Sequence, residues 1–264
     1  MSVELLRDAV RDDGWWLLVD GSEQSYVDTA DPLHLEFEYV QMIACVLDAC
    51  YPDDAPLAAL HLGGGLCTVP RWLAARHPGS RQRVAERSRQ IARLSASLGK
   101  PDRVTVVVDD ALAVVGNARR ASADLVVCDV YDGPETVTDL FTIDATRLVR
   151  HALRPAGLYV CNLSDAAPFN LSQTVAATLR AVFGSVVMLA EPSVLRGRRS
   201  GNLVLTATDA EIPLAELSRR AAGGPLRFRA VAGEDLTEFI AAARPAGVPA
   251  DLPRSGESTG RRLL

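Results

Sequence analysis

Apolar and polar positions follow two alternating rhythms from residue 57 onward. Short apolar runs at 57–62, 83–86, 104–108, 125–129 and 158–161 are the size of buried strands. Between them lie stretches of helical spacing: a helix starting over 69–75, then 90–98 stopped by Gly99, one after Asp110, 139–153 ended by Pro155, and 171–183 ended by Gly184. Strands alternating with helices imply a parallel sheet covered on both faces. Two more runs, 186–189 and 203–206, are joined by the Arg/Gly/Ser loop 196–201 with no convincing helix between them, which suits a terminal antiparallel hairpin. The expected sheet is therefore seven-stranded and mostly parallel.

The first fifty residues read differently. Residues 15–19 and 24–27 are strand candidates around the turn signal Asp20-Gly21-Ser22. Residues 33–50 carry Phe37, Val40, Ile43, Ala44 and Leu47 at helical spacing. A Pro/Asp linker over 52–56 then separates an N-terminal hairpin and helix (1–52) from an α/β domain (53–245). The tail 246–264, rich in Gly, Pro, Ser and Arg, is expected to be disordered.

Composition narrows the partners. The chain has 264 residues and a net charge of −5, with lysine almost absent. That argues against a general nucleic-acid or anionic-membrane binder, which needs clustered cations. None of the five cysteines forms a CxxC pair, so neither a disulfide framework nor a zinc site is expected, and a reducing compartment fits. The start Met1-Ser2-Val3-Glu4 lacks the basic and apolar regions of a signal peptide, and no apolar run is long enough to span a bilayer. The expectation is a cytoplasmic protein without a metal; His34, His61, His77 and His151 are scattered, and His61 reads as a core histidine.

The chemistry lies at strand ends. Residues 57–62 break into Gly63-Gly64-Gly65, which lets backbone approach a ligand closely and also makes a plain tight turn. Leu66 and Cys67 follow, so the pattern is not the dinucleotide fingerprint. Glu86 ends the second run about twenty residues later, where a carboxylate can accept both ribose hydroxyls. Asp109-Asp110 ends the third; a carboxylate there can accept from an exocyclic amine, or cap the next helix. Asp129 and Asp132 frame the turn after the fourth, where such a pair can hold a cationic amine and take its proton, or Asp132 can bond its own backbone. Trp15 and Trp16 read as packing of the hairpin. The Arg196–Arg199 loop reads as solvated, with gating of the site the lesser alternative.

From Trp15 to about Thr206 the chain resembles the spermidine synthase family of aminopropyltransferases. The resemblance rests on Val19-Asp20-Gly21 with Gln24, on Glu36-Phe37-Glu38-Tyr39, on Gly63-Gly64-Gly65, and on Glu86, Asp110-Ala111 and Asp129–Asp132. It implies the Rossmann-like class I methyltransferase fold with a small N-terminal β-region. It implies decarboxylated S-adenosylmethionine as donor, with Gln24, the three glycines, Glu86, Asp110, Ala111 and Asp129 at the cofactor. Asp129 becomes the base, Asp132 its helper on the amine, and Tyr39, Tyr131 and Asp132 face a small-molecule amine acceptor. It also admits a homodimer.

The departures lie at the polyamine end. Leu66 and Cys67 stand where the family continues aspartate-glycine, Val40 and Gln41 where it has histidine and glutamate, and Arg87-Ser88 where it has isoleucine-aspartate. A leucine cannot pair with the donor's ammonium. Three readings follow: a spermidine synthase-like transferase acting on an amine other than a standard polyamine, a methyltransferase using S-adenosylmethionine itself, and a non-catalytic nucleoside-binding protein.

Overall fold

A computed structural model describes residues 2–132, 135–224 and 227–253, and the side chains of all of these but 132, 135 and 136. Strands β1 (Val3–Arg7), β2 (Gly14–Val19) and β3 (Ser22–Asp28) form a small antiparallel sheet in the order β1-β2-β3. The sequence suggested a hairpin; β1 is the extra strand. It is short, mostly exposed and carries Glu4 and Arg7, so its alternation is weak. Trp16 packs on Tyr26 across β2 and β3, with ring centroids 4.6 Å apart.

Helix α1 (Glu38–Cys50) begins five residues later than its periodicity suggested. Phe37 is extended, and it and Leu35 pack against the core without entering the helix. The α/β alternation then runs β4 (Ala58–Leu62), α2 (Thr68–Arg76), β5 (Arg81–Ala85), α3 (Arg89–Ser97), β6 (Val104–Val107), α4 (Ala111–Gly116) and β7 (Ala123–Cys128). A two-stranded ribbon, β8 (Tyr131–Asp132) and β9 (Glu135–Thr136), leads through a 3-10 turn to α5 (Ile143–Ala152) and the long strand β10 (Leu153–Asp165). Pro155 therefore lies within β10 and not at the end of a helix. Next come α6 (Asn170–Val182), β11 (Ser185–Ala190), the short α7 (Pro192–Leu195), β12 (Gly201–Thr208), α8 (Leu214–Gly223), β13 (Arg229–Val231) and α9 (Gly233–Ile240).

The main sheet has eight strands among the described residues, in the order β13-β11-β12-β10-β7-β4-β5-β6. Strands β10, β7, β4, β5 and β6 run parallel, and β12, β11 and β13 close one edge antiparallel. This is the Rossmann-like methyltransferase architecture with its terminal hairpin. The eighth strand is β13, three residues long and too short for a readable pattern. Helix α7 corrects the expectation of a loop without a helix.

Strand alternation sorts the side chains onto two faces. Leu60, Leu62, Val126, Cys128, Cys161 and Leu163 face α4, α5, α6 and α9. Ala59, Leu125, Val127, Val160 and Val204 face α1, α2 and α8. Ala246 and Leu252, at the start of the segment read as a tail, are buried in the first of these cores; residues 254–264 lie outside the described residues. No described helix is long and apolar enough to cross a membrane.

Candidate active site

The backbone ladder runs one step past the strand ends and fixes the positions that matter. Gly63 N–H donates to Ala85 at 3.0 Å, Glu86 N–H to Val107 at 3.0 Å, and Asp129 N–H to Leu62 at 2.8 Å. Above these ends lies a cleft of about 590 Å³, roofed by Leu17, Val19 and Gln24 of the N-terminal sheet. Every described residue assigned from the sequence lines it: Gln24, Tyr39, Gly63, Gly64, Gly65, Glu86, Asp110, Ala111, Asp129 and Tyr131. The side chain of Asp132, and the turn residues Gly133 and Pro134, lie outside the described residues.

The sheet order spreads these groups along a line. Asp110 follows β6, Glu86 follows β5, the glycines follow β4 and Asp129 follows β7. Strand ends at such a topological crossing are where open α/β sheets hold ligands. The glycine turn is shaped by contact as well as by dihedral angle. Gly63 has φ +98, and a Cβ there would lie 2.1 Å from the Asp129 carbonyl oxygen. Glu86 folds back on this turn: its Oε2 accepts from Gly64 N–H at 3.2 Å and Gly65 N–H at 3.1 Å, and its Oε1 from Ser88 N–H at 2.7 Å. The carboxylate thus holds the turn while Oε1 keeps lone-pair capacity. Asp110 caps α4, its Oδ1 accepting from Ala113 N–H at 3.1 Å, so the helix-capping alternative is present at a residue that also lines the cleft.

Asp129 sits in a side-chain network. Asn162 Nδ2 donates to its Oδ1 at 3.0 Å, and the Tyr39 hydroxyl hydrogen-bonds the same carboxylate. Asn202 Nδ2 donates in turn to Asn162 Oδ1 at 3.0 Å, which fixes the amide's orientation. Burial pushes the Asp129 pKa up, opposed by the bonds from Asn162 and Tyr39. Burial and the nearby Asp129 charge raise Tyr39 well above an ordinary tyrosine, so it stays a donor. A carboxylate with a raised pKa, anchored by two donors at the mouth of a cleft, is suited to accept a proton. An aromatic chain supports Tyr39 from outside: Trp16 lies 5.9 Å from Phe37, and Phe37 5.8 Å from Tyr39, centroid to centroid.

Asn162 and Asn202 were missed from the sequence. The only signal was an amide inside an apolar strand run, Val160-Cys161-Asn162-Leu163.

Leu66, Gln41 and Val40, three of the departures from the family pattern, have contacts within the protein. Leu66 is fully buried and packs with Leu17 and Val27, so it ties the N-terminal sheet to the α/β domain. Ser25 reinforces this joint by accepting from Leu66 N–H at 3.1 Å. Gln41 turns away and donates to the Leu35 carbonyl at 2.7 Å. Val40 is buried at the inner wall. Arg199 of the 196–201 loop bridges Glu38 at 2.9 Å and also Glu191, anchoring that loop beside Tyr39.

No family model matches the sequence, and no curated protein matches it. Solved structures do. A probable spermidine synthase from Corynebacterium glutamicum ATCC 13032 shares 31% identity over 92% of this chain and 91% of its own, with a TM-score of 0.85. A spermidine synthase in complex with the transition-state analogue AdoDATO shares 16% identity over 90% of this chain and 80% of its own, with a TM-score of 0.60. Human methyltransferase-like protein 13 in complex with SAH shares 20% over 79% and 95%, with a TM-score of 0.56. The last two are likenesses of fold.

Proposed function

Because the chain belongs to the spermidine synthase family, we propose that it is a transferase that takes an alkyl group from an S-adenosyl donor to an amine. Our preferred donor is decarboxylated S-adenosylmethionine, and the group an aminopropyl chain. The observation that carries this reading is Asp129, its pKa raised by burial, held by Tyr39 and Asn162 one strand away from the glycine turn. The placement of the cleft supports such a donor: carboxylates stand at two successive strand ends, after β6 and β5, and the glycine turn follows at the next, after β4.

The residues divide the work by position. Asp110 and the Ala111 amide would meet the base and Glu86 the ribose, with the glycine turn beneath the sulfur. The donor supplies a carbon activated by the adjoining sulfonium. Asp129 orients the acceptor amine and takes the proton it sheds as the new C–N bond forms and the C–S electrons return to sulfur. Orientation and removal of one proton supply most of the catalysis. Tyr39 and Asn162 keep the Asp129 carboxylate aimed.

Charge supports the decarboxylated donor. Glu23, Glu86, Asp110, Asp129 and Asp139 line the cleft, and among the described residues Arg87 is the only cation lining it. A carboxylate on the donor's tail would meet mostly like charge. Beyond Asp129, the described residues that line the cleft from β10 and β12, Asn162, Ser164 and Asn202, are neutral and hydrogen-bonding, which supports an amine other than a standard polyamine. Methyl transfer from S-adenosylmethionine is the second reading, favoured by the absence of a carboxylate at Leu66.

Mass spectrometry of the protein incubated with decarboxylated S-adenosylmethionine and a panel of primary amines tests the proposal. The expected result is methylthioadenosine release coupled to an aminopropylated amine. Methylation from S-adenosylmethionine, with no turnover of the decarboxylated donor, would overturn it in favour of the second reading.

A further inference from the structure

One polar group of the cleft has no part in the scheme above. His61 is the penultimate residue of β4, 1% exposed, and it lines the cleft. It faces the same side of the sheet as Val127, its register partner on β7, and hence the same side as Asp129 two residues further on.

Its hydrogen bonds define its tautomer. Gln82 Nε2 donates to the Pro70 carbonyl at 2.9 Å, so Gln82 turns its Oε1 toward His61. His61 Nε2 lies 2.8 Å from that oxygen. An amide oxygen only accepts, so Nε2 must carry the proton. Flipping the amide would set two acceptors, Oε1 and the Pro70 carbonyl, against each other. Nδ1 is therefore a bare acceptor, and among the described residues it is buried without any hydrogen-bond partner. Burial holds the ring neutral, with its pKa lowered to about 4. An unpaired acceptor in a cleft floor carries a desolvation cost that a ligand N–H would relieve.

Position says which part of a ligand that is. With Asp110 after β6, Glu86 after β5 and Asp129 after β7, a donor reaching from base to reacting carbon must cross β4. Among the side chains of β4 (Ala58, Ala59, Leu60, His61 and Leu62), only His61 is polar. It lies about 7 Å down the strand from Gly63, among the residues that line the cleft. Leu66, the position where a carboxylate would meet that tail, is buried in the joint to the N-terminal sheet.

We propose that His61 is a specificity-determining residue for the donor: its Nδ1 accepts a hydrogen bond from the amine at the end of the donor's tail. The inference rests on the transferase reading. A neutral acceptor favours a tail ending in an amine and offers nothing to a carboxylate.

Calorimetry on the full chain, comparing decarboxylated S-adenosylmethionine with the tail-less methylthioadenosine, separates this inference from its premise. His61→Leu should weaken the decarboxylated donor about tenfold and leave methylthioadenosine unchanged. Equal losses for both, or no loss for the donor, would overturn the role. A second measurement needs no variant. In nitrogen NMR of the wild-type histidines, the donor should shift the Nδ1 resonance of His61 upfield, and methylthioadenosine should leave it in place. Donor binding without that shift overturns the role of His61 and leaves the transferase reading standing. A wild-type protein that binds neither compound overturns both.

Discussion

The two halves of the cleft are held together by different means. On the β4–β5–β6 side, acidic side chains bond to backbone: Glu86 to the amides of Gly64, Gly65 and Ser88, and Asp110 to that of Ala113. On the β7–β10–β12 side, side chains bond to side chains: Tyr39 and Asn162 to Asp129, and Asn202 to Asn162. The first half comes from one continuous stretch of the chain, 63–113, and is set by strand ends. The second is drawn from α1, β7, β10 and β12, elements distant along the chain. A half built on side chain-to-backbone bonds fixes where a ligand lies. A half built on a network fixes one carboxylate's aim and proton affinity, and any member's loss is felt there.

The sharpest break in this comparison is Asp129→Asn. Turnover should fall by roughly 10²- to 10⁴-fold while donor affinity stays nearly unchanged, because the proton acceptor is lost and the donor half is untouched. Steady-state kinetics beside calorimetry checks it. The same variant should be slightly more resistant to denaturant, since the Asp129 pKa is raised by burial and its charged form costs native stability at neutral pH.

Gly63→Ala strikes the point where the halves touch. Its Cβ would lie 2.1 Å from the Asp129 carbonyl at a φ of +98, so a loss of about 3 kcal/mol or more is expected in chemical denaturation.

The floor beneath the donor half has its own signature in pH. His61 is neutral in the folded chain down to about pH 4, against an ordinary value of 6.5. Between those values the unfolded chain binds more protons. Its contribution is therefore fully present above pH 6.5 and is lost as pH falls toward 4, at no more than about 1.4 kcal/mol per pH unit. Urea denaturation across that window should show the slope, and His61→Leu should flatten it.

Glu86→Gln keeps one acceptor oxygen for the amides of Gly64 and Gly65, gives up the bond from Ser88 N–H and removes a charge. Donor affinity should fall about tenfold with little change in kcat, the opposite split from Asp129→Asn. The smallest effect belongs to Asn162→Leu. Removing its bond raises the Asp129 pKa further, so the acidic limb of the pH–rate profile should move to higher pH.

The same division decides what could be read from the sequence. Gly63, Glu86, Asp110 and Asp129 are visible because each ends an apolar run, and a strand end is a local signal. Asn162 and Asn202 are polar residues inside strands; the register of β10 with β7 brings Asn162 to Asp129, and that of β10 with β12 brings Asn202 to Asn162. Strand β13 was hidden by its length and β1 by its exposure. Leu66 shows what a linear reading leaves out. The sequence marks it as a side chain that cannot pair with the donor's ammonium; the fold adds that it packs with Leu17 and Val27 as part of the joint to the N-terminal sheet.

The central claim is that the cleft selects a donor whose tail ends in an amine without a carboxylate. Competition calorimetry of decarboxylated S-adenosylmethionine against S-adenosylmethionine tests it most directly. The account requires the decarboxylated form to bind at least about tenfold tighter. Equal affinities, or tighter binding of S-adenosylmethionine, would contradict it.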